Sequence, residues 1–183
     1  MRTVRAVARF VFCVAIVVII AVAGYNIYLK ASHPTEFNGF VEYYCDEYNV
    51  DIALVMAVIK CESGYNKDAQ SDAGAKGLMQ LTEETFYDVH KMVDDSEEIT
   101  YETHWNDTET NIKYGTKYIS YLFRLFDGDK TAVLAAYNAG MGNVRQWMGD
   151  DNLLKISEIR FPETKDYVEK VLKAEETYKK LYP

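Results

Sequence analysis

"CESGYNKDAQSDAGAKGLMQ", Cys61–Gln80, ends an apolar run on a carboxylate and continues as small and polar residues with neither helical nor strand periodicity. Just upstream, Asp51 is a suitable N-cap for IALVMAVIKCE, residues 52–62, and Gly64 supplies a stop. On a helix starting near Ile52, Val55, Val58, Ile59 and Glu62 share one face, so Glu62 continues a core stripe. Burial penalises the ionised carboxylate, and the helix dipole disfavours negative charge in the last turn. Both raise the pKa, the condition a general acid needs to protonate a poor leaving group such as a sugar oxygen. A solvent-facing glutamate at a frayed helix end would show the same spacing, so the surrounding residues have to decide.

Asn66, Gln70, Ser71 and Gln80 add amides and a hydroxyl around a loop whose Gly74 and Gly77 permit backbone conformations closed to other residues. That inventory suits a polyhydroxylated sugar, although a plain surface loop has a similar composition. Further along, AAYNAGMGN places Tyr137 and Asn138 at the end of an apolar helix, where a phenol and an amide can face the region of Glu62. A satisfied core tyrosine is the competing reading.

The composition of the 183 residues, 49% hydrophobic and 14% aromatic, is that of a chain that builds a core. Residues Phe10 to Leu29 carry no charge, and twenty helical residues reach about 30 Å, the hydrocarbon thickness of a bilayer. Arg2, Arg5 and Arg9 precede this stretch and only Lys30 closely follows, so the expected orientation keeps the N-terminus cytoplasmic and the remainder extracytoplasmic. Tyr25 and Tyr28 suit the interfacial belt of an uncleaved single-pass anchor in the cell membrane. Ala21-Val22-Ala23 also fits a signal-peptidase site, which would release the chain as a secreted protein cut near Ala23. All 28 acidic residues lie beyond Lys30 with 16 of the 20 basic ones, so the exported part has a formal charge of 16 − 28 = −12, which argues against nucleic acid as a partner. Cys13 belongs to the apolar segment, which leaves Cys45 and Cys61 as the one conceivable disulfide. His33, His90 and His104 have no ligand spacing, so neither a metal nor another cofactor is expected.

Organisation follows from these segments: residues 1–30 an anchor or signal, 31–36 (ASHPTE) a linker, and 37–183 one mainly α domain. Helices are predicted in FNGFVEYYCDEY before Asn49, after Thr82 with Glu83 and Glu84 in the first turn, and from Asp107 or Thr108 through Phe126. Others are predicted over Thr131 to Tyr137, Asn143 to Met148, and PETKDYVEKVLKAEETYKKLY with Pro162 near its start. Leu153 to Phe161 is ambiguous between strand and helix.

ESGYNKDAQSDAGAKGLMQLTEET, ETNIKYGTKYISYLF, AAYNAGMGNV and FPETKDYVEKVL, in this order, resemble the soluble lytic transglycosylase family in its lysozyme-like (goose-type/SLT) catalytic domain. The likeness covers about Phe37 to Tyr182 and suggests a membrane-anchored single-domain form. It implies cleavage of the β-1,4 bond between N-acetylmuramic acid and N-acetylglucosamine in peptidoglycan, leaving 1,6-anhydromuramoyl ends. By the same resemblance Glu62 matches the catalytic acid/base, Ser71 and Gln80 match polar cleft residues, Tyr137 matches the cleft tyrosine with Asn138 beside it, and Glu163 matches a glutamate near the sugar. Met141 and Glu83 stand where proline is common, and Cys61 directly precedes the acid. Most glycosidases use two carboxylates. Here Asp68, Asp72, Glu83 and Glu84 are explained by capping and solvation, and the resemblance implies that the substrate's own N-acetyl group replaces a second carboxylate. A goose-type muramidase that hydrolyses the bond, and a non-catalytic peptidoglycan-binding scaffold, are the alternatives. Expected partners are peptidoglycan strands and the membrane, with cell-wall or secretion machinery as further candidates.

Overall fold

A computed structural model of the chain describes residues 2–93, 98–149 and 152–183, with side chains from residue 9 onward. It divides into two compact units, one ending at Pro34 and the other spanning Thr35–Pro183. The first is a single helix, α1 (Arg2–Ser32), of which Arg9–Ser32 is long and apolar enough to cross a membrane. The side chains of Arg2 and Arg5, on which the orientation argument partly rests, lie outside the described residues.

The second unit is built from α2 (Asn38–Tyr48), α3 (Ile52–Glu62), α4 (Glu83–His90), α5 (Tyr101–His104), α6 (Thr108–Leu125), α7 (Lys130–Ala139), α8 (Met141–Trp147), a 3₁₀ turn (Ile156–Glu158) and α9 (Pro162–Leu181). Among the described residues there is no β-strand, only isolated antiparallel bridges of Lys76 with Gln70 and Leu81. The expected caps form: Asp51 accepts from the Leu54 amide, Thr82 from Thr85 and Asp107 from Thr110; Asp129, which the sequence reading did not single out, caps α7 by accepting from Thr131 and Ala132. Helix ends move by a few residues from the sequence reading. α7 continues through Ala139 because the break falls on Gly140, whose φ of 84° few other residues tolerate. The ambiguous stretch before Phe161 holds the 3₁₀ turn, and α5 was not anticipated because a four-residue helix shows no periodicity.

α3 carries no one-sided stripe. Leu54 through Ile59 are all buried, so it is a central helix covered on every side, with α2 and α9 packed along it. At its start Asp51 meets Lys179 of α9 at 3.0 Å, and Lys179 also reaches Glu175, which is buried and paired with Lys130 of α7 at 2.5 Å. These contacts fix α9 against the N-terminal ends of α3 and α7. Among the described residues two hydrophobic clusters result. The larger joins α2, α3, α6, α7 and α9; the smaller gathers Leu81, Phe86, Val89, Ile99, Tyr101 and Tyr114. Tyr118 and Tyr137 pack against both.

Candidate active site

Glu62 is the last residue of α3 and lies where the seam tyrosine Tyr137 meets the larger core. Its side chain is partly covered, and burial pushes its pKa up to about 7 against a smaller lowering by the phenol of Tyr167. Tyr137 and Tyr167 are both held well above the usual tyrosine range, first by burial and then by the charge of Glu62, so each remains an O–H donor at any working pH. Tyr137 donates to the Met79 carbonyl at 2.7 Å. The Tyr167 oxygen is buried and, although it faces the Glu62 carboxyl closely enough to lower its pKa, meets no partner in good hydrogen-bond geometry among the described residues. A carboxyl whose pKa lies near neutrality, beside a phenol that keeps its proton, is an arrangement able to act on an incoming oxygen atom.

The polar run after α3 folds onto itself. Ser71 is exposed and its Oγ accepts from the Ala75 amide at 3.0 Å, closing the turn. Gln80 sits at φ 48° and spends its Nε2 on the Ala69 and Gly77 carbonyls at 3.1 and 2.9 Å. Both side chains therefore shape the loop that carries Met79. Asn111 of α6, 1% exposed, pins this loop: its Oδ1 accepts from the Met79 amide at 2.8 Å and its Nδ2 donates to the carbonyls of Trp105 at 2.8 Å and Lys76 at 3.3 Å. Gly77 must be glycine, because its φ is 83° and a Cβ would lie 2.5 Å from the Trp105 carbonyl oxygen.

Asn138 is exposed and accepts from Thr164 Oγ1 at 2.7 Å, which ties the end of α7 to the first turn of α9, where Glu163 is also exposed. Of the residues singled out from the sequence, Glu62 and Tyr137 are thus coupled directly. Ser71 and Gln80 hold the adjoining loop, and Asn138 and Glu163 share the α7–α9 junction. Cys45 and Cys61 are both free thiols, and burial pushes Cys61 up to about 11, so it stays protonated beside Glu62. Asp68 is exposed and engaged by Lys67 and Asn106.

Sequence reasoning missed Tyr167 and Asn111. Tyr167 lies in the apolar stripe Tyr167, Val168, Val171 and reads as a core tyrosine, and nothing local shows that α9 returns to the end of α3. Asn111, in the first turn of α6, looks like a routine helix-start residue.

Residues 40–159 match the transglycosylase SLT domain; Glu163 and Tyr167 lie beyond the matched stretch. The soluble lytic murein transglycosylase of Escherichia coli K12 is 32% identical over 83% of this chain and 24% of its own length. Membrane-bound lytic murein transglycosylase C of Photorhabdus laumondii is 35% identical over 57% of this chain and 31% of its own length. Among solved structures, the 70 kDa soluble lytic transglycosylase of E. coli superposes with a TM-score of 0.74 at 31% identity, covering 81% of this chain and 25% of that one. An inactive mutant of the Pseudomonas aeruginosa lytic transglycosylase Slt gives 0.71 at 28% identity, with the same coverages. The chain spans about a quarter of the length of the first relatives it matches. With the family match running from α2 to the 3₁₀ turn and the helical fold shared with these structures, the chain belongs to the transglycosylase SLT family.

Proposed function

We propose that residues 37–183 form a peptidoglycan lytic transglycosylase in which Glu62 alone is acid and base. The observation that carries this reading is one partly buried carboxyl at the end of α3, held near a pKa of 7 beside two phenols that never ionise. At neutral pH a large share of Glu62 holds its proton. It delivers that proton to the bridging oxygen between N-acetylmuramic acid and N-acetylglucosamine as the glycosidic bond breaks. The acetamido group of the substrate stabilises the cationic anomeric carbon. Glu62, now ionised, takes the proton of the muramoyl C6 hydroxyl, whose oxygen closes the 1,6-anhydro ring. Tyr167 orients the carboxyl or the incoming sugar oxygen, and Tyr137 holds the Met79 loop against the site. Ser71, Gln80, Asn138 and Glu163 shape or border the glycan site.

α1 is the uncleaved single-pass anchor, with its N-terminus cytoplasmic and the domain on the outer side, close to the wall. The membrane-bound relative and the apolar character of Arg9–Ser32 support the anchor. Mass spectrometry of digested peptidoglycan tests the reaction. Products lighter by one water, with anhydro ends, are expected from the native protein and none from Glu62→Gln; reducing ends instead would assign the domain to hydrolysis.

A further inference from the structure

α2 turns an aromatic face outward that the Glu62 site does not use. Phe37, Phe40 and Tyr43 recur at intervals of three residues; Phe37 is partly buried and rests against the larger core, while Phe40 is 37% and Tyr43 64% exposed. With Asn38, Gly39 and Glu109 they line a shallow groove of about 550 Å³. Phe37 caps α2 in the left-handed region at φ 65°, a conformation that costs an aromatic residue energy and that no side-chain cap offsets. Tyr43 is braced edge-on against Tyr44 with centroids 4.9 Å apart. The carboxylates at the border are engaged: Tyr44 donates to Glu109 at 2.7 Å, and Asn38 donates to Glu42. The groove therefore offers rings, with hydrogen-bonded carboxylates at its edge, to whatever covers it.

The covalent chain points to its occupant. α1 ends at Ser32 and Phe37 comes five residues later. A fully extended chain covers about 3.6 Å per residue, so Phe37 stays within about 18 Å of the end of α1. The headgroup layer beyond the hydrocarbon is itself roughly 5–8 Å deep. A tether this short raises the local concentration of lipid at the patch far above that of any soluble partner. Amphipathic rings are also the side chains that favour the headgroup level. Tyr25 and Tyr28, near the end of α1, are likewise suited to the headgroup level.

We propose that the Phe37–Phe40–Tyr43 face of α2 docks on the interfacial headgroup layer of the bilayer that α1 enters, and so restrains the catalytic domain at the membrane surface. This rests on the anchoring reading above. The docking is driven by the rings and not by charge. Beyond Lys30 the chain carries a formal charge of 16 − 28 = −12, so anionic lipid repels it and zwitterionic lipid is preferred.

The test uses the full chain reconstituted in phosphatidylcholine vesicles whose acyl chains carry bromine near the headgroup, a short-range quencher of indole fluorescence. Tyr43→Trp and, independently, Phe40→Trp report from the patch, and wild-type protein with Trp105 and Trp147 supplies the background. Flotation of the vesicles is scored in the same samples. Floating protein whose added tryptophan is blue-shifted and loses more emission than the wild type, less so when anionic phosphatidylglycerol is mixed in, is the expected result. Floating protein quenched no more than wild type in both variants overturns the docking and leaves the anchor standing. A blue shift without quenching that fades as the lipid-to-protein ratio rises assigns the patch to a second copy of the chain and overturns the docking. Protein that does not float removes the anchor, and the docking with it.

Discussion

Glu62→Gln should abolish turnover and at the same time stabilise the protein at neutral and alkaline pH. The folded state raises the Glu62 pKa from its ordinary 4.5 to about 7. Below 4.5 the carboxyl is protonated in both the folded and the unfolded chain, and its ionisation has no effect on stability. Between 4.5 and about 7 the folded state keeps a proton that the unfolded chain has lost, so stability falls as pH rises, and above about 7 the loss is complete. At about 1.36 kcal/mol per pH unit, the interval is worth at most about 3 kcal/mol. Partial solvent access to the carboxyl makes the realised figure smaller. Glutamine has nearly the same shape and no charge to bury. Denaturant unfolding of both proteins in detergent micelles at a series of pH values is the assay. The difference between them cancels every other titrating group, so it should be flat below pH 4.5 and grow in favour of the glutamine variant up to about pH 7. A difference that is constant from pH 4 to 8 would mean that burial does not raise the Glu62 pKa, and the acid assignment would lose its physical basis.

Other expectations concern the same site. With glycan substrate, turnover by native protein should fall about tenfold per pH unit above the Glu62 pKa of about 7, because only the protonated acid starts the reaction; a rate still rising at pH 9 would contradict this. Tyr167 lowers the Glu62 pKa, so Tyr167→Phe should move that alkaline limb to higher pH while reducing the maximal rate, a displacement that a merely structural role would not produce. Asn111→Ala leaves the Met79 amide and the Trp105 and Lys76 carbonyls without their partner, and thermal unfolding should report a loss on the order of 3–5 kcal/mol. Gly77→Ala should also destabilise, through its φ of 83° and the close Trp105 carbonyl, and wild-type stability in either variant would show that the loop does not depend on this pin.

The local elements were largely legible because they are encoded by neighbours in the chain. Asp51, Thr82 and Asp107 cap helices with their own side chains a few residues away, and Pro162 opens α9 for the same local reason. The carboxylate at the end of α3 was legible for a related reason, since Glu62 follows an apolar run by helical spacing, but how far it is covered depends on the helices packed around it. Spacing misjudged α3 itself, which is covered all round, because periodicity registers which face is apolar and not how many neighbours surround it.

The amino-acid sequence by itself determined a mainly α domain behind an apolar helix, a carboxyl group, Glu62, at the end of α3, and a tightly turned loop after it. Only the tertiary structure decided what that acid faces. Tyr167 lies 105 positions further along the chain and reaches Glu62 because α9 packs back along α3, and Tyr137 reaches Met79 across the seam of two hydrophobic clusters. It also showed Ser71 and Gln80 as braces of the loop, through short-range bonds with the Ala75 amide and the Gly77 carbonyl and, for Gln80, a longer-range one to the Ala69 carbonyl. The physical reason is that desolvation, which sets the Glu62 pKa, depends on every atom packed around the carboxyl, and most of those atoms come from helices remote in sequence.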